Sequence, residues 1–79
     1  MENLKKYKNA FIEAFQIKES QLDGLKYQDV EEWDSIGHMT LMSELENTFK
    51  ISIETDDIID FSSYKKGQEI LEKYKVKLN

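Results

Sequence analysis

Apolar side chains recur at intervals of three and four in separate stretches of this chain, a spacing that suits helices and not strands. Leu4, Tyr7, Phe11, Ala14 and Phe15 fall on one face, with Ile12 widening the stripe, and predict an amphipathic helix over about residues 3–17. Met39, Met42, Leu45 and Phe49, with Leu41 beside them, predict a second over about residues 35–50, with this stripe in the core. Thr55, a capping residue, precedes Asp56, Asp57, Ile58 and Ile59, and acidic residues in a first turn favour a helix N-terminus, so a short helix is expected over about 55–61. Ser62 and Ser63 then open a last helix over about 63–75, marked by Tyr64, Ile70, Leu71 and Tyr74, with lysines gathered near its end. Three long helices and one short one, joined without proline or internal repeats, give an all-α four-helix bundle.

The segments between helices are less regular. Residues 18–34 hold Gly24, several aspartates and scattered apolar residues (Leu22, Leu25, Tyr27, Val30) with no period of 3.6 or 2. They read as a long loop pinned to the helices by those side chains, with Trp33 fastening its end over the bundle, a length that points to function. Ile51-Ser52-Ile53 alternates like a strand but has no partner segment, and reads as a connection with buried isoleucines.

A chain of 79 residues makes one domain with a small core, where a deep catalytic pocket is not expected. It has no cysteine, which removes disulfides, thiolate metal sites and a cysteine nucleophile, and its one histidine, His38, makes no metal cluster. The start of the chain shows neither the apolar run nor the cleavage site of a signal peptide, and no stretch reaches membrane-spanning length, so a cytoplasmic monomer without membrane contact is expected. Charge is unevenly placed: residues 19–60 carry twelve acidic groups against two lysines, whereas both flanks are net positive. Such a centre repels phosphate backbones, which argues against nucleic acid and for protein partners with basic patches.

The second helix opens on Trp33-Asp34-Ser35-Ile36-Gly37-His38-Met39. Either Asp34 or Ser35 is suited to cap it. A serine in that first turn stands outside the hydrogen-bonded ladder, where free amides and the positive dipole end favour an attached phosphate. This string, continuing through Leu41, Leu45, Glu46 and Phe49, resembles the Asp-Ser-Leu signature of acyl and peptidyl carrier proteins. The order of helices and the long loop match that family as well, over about 70 of the 79 residues.

The resemblance implies a non-enzymatic carrier with 4'-phosphopantetheine, taken from coenzyme A, attached to Ser35. Asp34 and Ile36 would flank the attachment point, and Met39, Glu46, Asp56 and Asp57 would contact partners. Those partners would be a phosphopantetheinyl transferase, an acyl- or aminoacyl-loading ligase, and a downstream synthase or acyltransferase. Gly37, Thr40 and Ser43 depart from the fatty-acid pattern and make the string more like stand-alone carriers of specialised pathways. His38 is expected on the helix surface beside the attached arm. The rival reading is a helical adaptor whose acidic face docks a basic partner and whose Ser35 stays bare or carries a simple phosphate.

Overall fold

The first predicted helix is present but stops two residues short of its expected end, and the reason lies in the backbone. In a computed structural model describing residues 2–78, α1 spans Glu2–Phe15, and Gln16 then takes a left-handed conformation at φ 55° that turns the chain. Ile17, the residue counted as the helix's last, is buried just beyond the turn. The other helices are α2 (Ser35–Phe49), α3 (Thr55–Asp60) and α4 (Tyr64–Lys73), and together they form a small helical bundle measuring 29 × 27 × 19 Å. Among the described residues there is no β-strand, and no helix is long and apolar enough to cross a membrane.

Left-handed residues recur at the other long helices. Lys50 caps α2 at φ 55°, its N–H donating to the Glu46 carbonyl, and Lys75 follows the end of α4 at φ 66°. Glycine or asparagine usually fills such places, because a β-carbon there costs roughly 1–2 kcal/mol.

The core is aromatic at its centre. Tyr7, Phe11 and Phe15 from α1 meet Trp33, Phe61 and the aliphatic groups Leu41, Met42, Leu45, Ile70 and Leu71, all buried. Phe15 stacks on Trp33 at 5.2 Å between ring centroids, and Phe11 meets the same indole edge-on at 5.5 Å. Gly67, inside α4, is buried against this cluster: a β-carbon there would overlap the Phe61 ring and the Tyr7 hydroxyl. That hydroxyl donates to the Tyr64 carbonyl at 2.6 Å, and burial pushes its ionisation far above the ordinary tyrosine range.

The loop before α2 contains one 3₁₀ turn, Glu19–Gln21, and is pinned by more than side chains. Leu22 and Leu25 are buried, and the loop's backbone also bonds to the entrance of α4, with Tyr27 N–H donating to Ser62 O and Tyr64 N–H to Leu25 O, both at 2.9 Å. The long loop and the α3–α4 junction are therefore one unit, and they set where α2 begins.

Two acidic residues expected to face partners are engaged inside the fold. Asp57 is 7 % exposed, with one carboxylate oxygen 2.6 Å from the Lys73 ammonium and the other 2.5 Å from the Tyr74 hydroxyl. Glu46 is half-buried and accepts the Ile53 amide at 2.8 Å, fastening the segment after α2. Asp57 is buried with both carboxylate oxygens bonded within the chain, which corrects its assignment as a docking group, whereas Glu46 uses one oxygen inside the fold and keeps part of its surface exposed.

The hydrogen bonds from Lys73 and then Tyr74 hold the Asp57 carboxyl below its ordinary value of 3.8. The unfolded chain binds that proton more tightly than the folded one. The stabilisation is therefore complete above the ordinary value and is lost as pH falls through the lower folded one. Thermal melts between neutral pH and about pH 2.5 are expected to show wild type losing more melting temperature than Asp57→Asn, which lacks this titration. Equal acid losses in both proteins would refute the assignment.

Candidate modification site at the start of α2

The turn that presents Ser35 is built from backbone bonds on both sides of Trp33. Trp33 N–H donates to Val30 O at 3.0 Å, and its carbonyl accepts Gln28 N–H at 3.1 Å, while the indole is sealed in the core. Asp34 follows in an extended conformation and is the cap of α2: its carboxylate accepts the Gly37 amide at 2.8 Å and its carbonyl accepts the His38 amide at 2.7 Å. This settles the choice between the two capping candidates in favour of Asp34 and leaves the serine hydroxyl outside the cap.

Ser35 is then the first residue of the helix, exposed, with Ile36 beside it. The amides of Ser35 and Ile36 have no helical carbonyl four residues before them, so they point out of the N-terminus toward any anion carried on the serine. A phosphodiester on the Ser35 oxygen fits this setting in charge and access.

Gly37 has a definite job here. A β-carbon at this position would run into the Glu32 carbonyl, so glycine lets the loop backbone lie against the first turn of α2. Its helix-propensity penalty of roughly 1 kcal/mol accompanies a close approach that no other residue permits.

Large apolar side chains and carboxylates are exposed on α2, on the loop before it and on α3. Ile36 is 79 % and Met39 51 % exposed, one turn apart on α2, and Ile59 on α3 is 73 % exposed. Glu31, Glu32, Asp34, Asp56 and Asp60 are exposed on the adjoining loop and on α3. Met39, counted with the core stripe, lies outside it, and so is open to a partner. Of the expected docking residues, Met39 and Asp56 are on the surface, Glu46 is half-buried with one oxygen bonded to the Ile53 amide, and Asp57 is not free.

His38 takes the inward place that the sequence pattern gave to Met39. It is half-buried, accepts the Trp33 indole N–H at Nδ1 (2.9 Å), and faces the Ile58 carbonyl from Nε2 at 2.8 Å. It is partly exposed on the helix surface but bonded at both ring nitrogens, so neither is left to take a proton from Ser35. A groove of ≈240 Å³ runs beside it, lined by Tyr27, His38, Ile58, Ile59, Phe61 and Ser62. Sequence periodicity could not find this role, because the partners of the ring are an indole and a main-chain carbonyl from two other segments.

Comparison with family models, with curated proteins and with solved structures gives no match to this chain.

Proposed function

We propose that this chain is a carrier domain, modified at Ser35 with 4'-phosphopantetheine and recognised through the apolar, acid-flanked surface around it. The observation that carries the reading is the placement of Ser35: exposed, in the first turn of a 15-residue helix, and outside the cap that Asp34 supplies. In the modification, the Ser35 oxygen bonds to the phosphorus of coenzyme A bearing the pantetheine, and the pyrophosphate P–O bond breaks with loss of adenosine 3',5'-bisphosphate. The serine proton goes to a base of the transferase, since His38 is engaged elsewhere. When attached, the group supplies a thiol on a flexible tether, able to carry acyl or aminoacyl cargo as a thioester.

The chain's own residues divide the remaining work. Asp34 fixes the turn, Gly37 lets the loop close on it, and the first-turn amides would face the phosphate. Ile36 and Met39 offer apolar contact to a transferase or a loading ligase, and the exposed acids attract a basic surface in a salt-dependent way. The absence of cysteine leaves the attached thiol without a competitor on the chain.

Intact-mass measurement after incubation with coenzyme A and a broad-specificity phosphopantetheinyl transferase tests the reading. Wild type is expected to gain one phosphopantetheine group and Ser35→Ala none. A folded wild type that stays unmodified would overturn the carrier reading and favour the adaptor, for which the same apolar, acid-flanked surface is a docking face.

A further inference from the structure

Hydrogen bonds hold α3 in place more than apolar burial does. Six residues are too few for a helix to stand alone in water. Thr55, Asp56, Ile59 and Asp60 are exposed, Ile58 is half-buried, and the one buried residue is the charged Asp57. Buried Ile53 and Phe61 anchor the chain on either side of the helix, and two side-chain attachments hold the helix itself. Asp57 ties it to Lys73 and Tyr74 at the end of α4, and His38 ties it to α2 through the Ile58 carbonyl at 2.8 Å. Among the described residues, the His38 bond is the side-chain hydrogen bond that joins α2 to α3.

The same ring reaches back to the loop. An indole N–H can only donate, so His38 Nδ1 accepts it at 2.9 Å, while Nε2 carries the ring's hydrogen and donates to Ile58 O. The imidazole stacks on the Trp33 indole with centroids 6.2 Å apart and meets Phe61 edge-on at 6.1 Å. It therefore links the residue two before Ser35, the first turn of α2, and α3. The residues that follow the bonded pair, Met39 after His38 and Ile59 after Ile58, are both large, apolar and exposed.

We infer that His38 is a positioning residue for the modification of Ser35. Its two bonds set α3 against the turn that carries the serine, and so fix where Ile59 stands relative to Met39 when a transferase docks. The inference rests on the carrier reading given above. Without the bonds, Asp34 still caps α2 and Ser35 still stands outside the cap, but α3 loses its tie on the α2 side. A transferase then meets two apolar contacts that no longer match its own surface. Such a loss belongs to binding, raising KM for the carrier while kcat holds.

Steady-state modification of the full chain by a broad-specificity phosphopantetheinyl transferase with coenzyme A, followed by intact mass, tests the inference. Each protein is held well below its melting temperature and shown to be folded by circular dichroism. His38→Leu, which keeps apolar bulk and loses both bonds, is expected to raise KM about tenfold, the scale of one apolar side-chain contact, with kcat within about twofold. His38→Gln, whose amide offers both an acceptor and a donor, is expected to regain most of that loss. Ile59→Ala is expected to raise KM by itself, and adding His38→Leu to it should cost less than about twofold more, because the contact it misplaces is already gone. Val76→Ala, a buried truncation beside the far end of α2, is expected to weaken the bundle and leave KM unchanged. The inference is overturned if His38→Leu keeps the wild-type KM, or if His38→Gln is as poor as His38→Leu. It is equally overturned if the two losses multiply in the double variant, or if Val76→Ala raises KM as much. Should His38→Leu not fold, His38→Asn replaces it with the same expectations, since its amide oxygen can still accept from Trp33 but is too short to bring a donor to Ile58. A wild type that accepts no phosphopantetheine removes the carrier reading and this inference with it, whereas a modified wild type with any of the contrary outcomes removes the inference alone.

Discussion

Trp33→Ala is expected to leave the chain largely unfolded at 25 °C. Removing a fully buried indole costs about 3–5 kcal/mol from the lost burial and the cavity left behind. A domain of this size holds roughly the same amount in total. Here the cavity would open where α1 and the loop meet, since Phe11 and Phe15 both rest on this ring. The change also strips His38 Nδ1 of its donor. Circular dichroism against urea is the measurement: wild type should show a cooperative transition, and Trp33→Ala little or none. Trp33→Phe, which keeps most of the ring volume but not the N–H, should fall between them. A cooperative Trp33→Ala transition within about 1 kcal/mol of wild type would show that the loop is not fastened through this side chain.

Gly67→Val is expected to be nearly as damaging by the opposite route, crowding. The site has no spare volume: the positions a side chain would enter are held by Phe61 Cζ and the Tyr7 hydroxyl, and both residues are at most 1 % exposed. Neither ring can swing into solvent without leaving the core. Moving the Tyr7 ring also endangers its bond to the Tyr64 carbonyl. A loss of about 3 kcal/mol is expected, at the upper end for overpacking, and it outweighs the helix-propensity gain of under 1 kcal/mol on leaving glycine. Gly24→Ala is the control: that glycine sits at φ 77° with open space around it, so only a backbone cost of about 1–2 kcal/mol is expected. If urea unfolding ranks Gly24→Ala as the worse variant, the packing account of α4 is wrong.

The helices were legible in the sequence because their apolar faces are long and regular, and α2 was placed to within a residue because Asp34-Ser35 announces its start. The ends of the helices were less legible. Gln16, Lys50 and Lys75 adopt left-handed conformations without being glycine, so composition gives no stop signal there, and the helical pattern ran on into Ile17, Lys50 and Lys75. The expected inward face of α2 holds at Leu41, Met42, Leu45 and Phe49 and differs only at its head, where His38 stands in place of Met39. The inward row runs through His38, Leu41, Met42, Leu45 and Phe49, while Met39 faces solvent.

A polar residue at the head of an apolar row is invisible to periodicity unless its hydrogen-bond partners are known, and those of His38 come from residues 33 and 58. The same blindness made Asp57 look like a surface acid and Glu46 like a free one. Nothing in the order of residues says that Lys73, Tyr74 and the Ile53 amide will be waiting for them.

The chain contains a single tryptophan, and it lies in the core two positions before Ser35 with its ring against His38. Its emission is therefore an intrinsic optical probe of that turn, with no second indole to dilute the signal. Chemistry at the serine, docking of another protein, or melting of the bundle can each be followed in native material, without dyes or engineered labels.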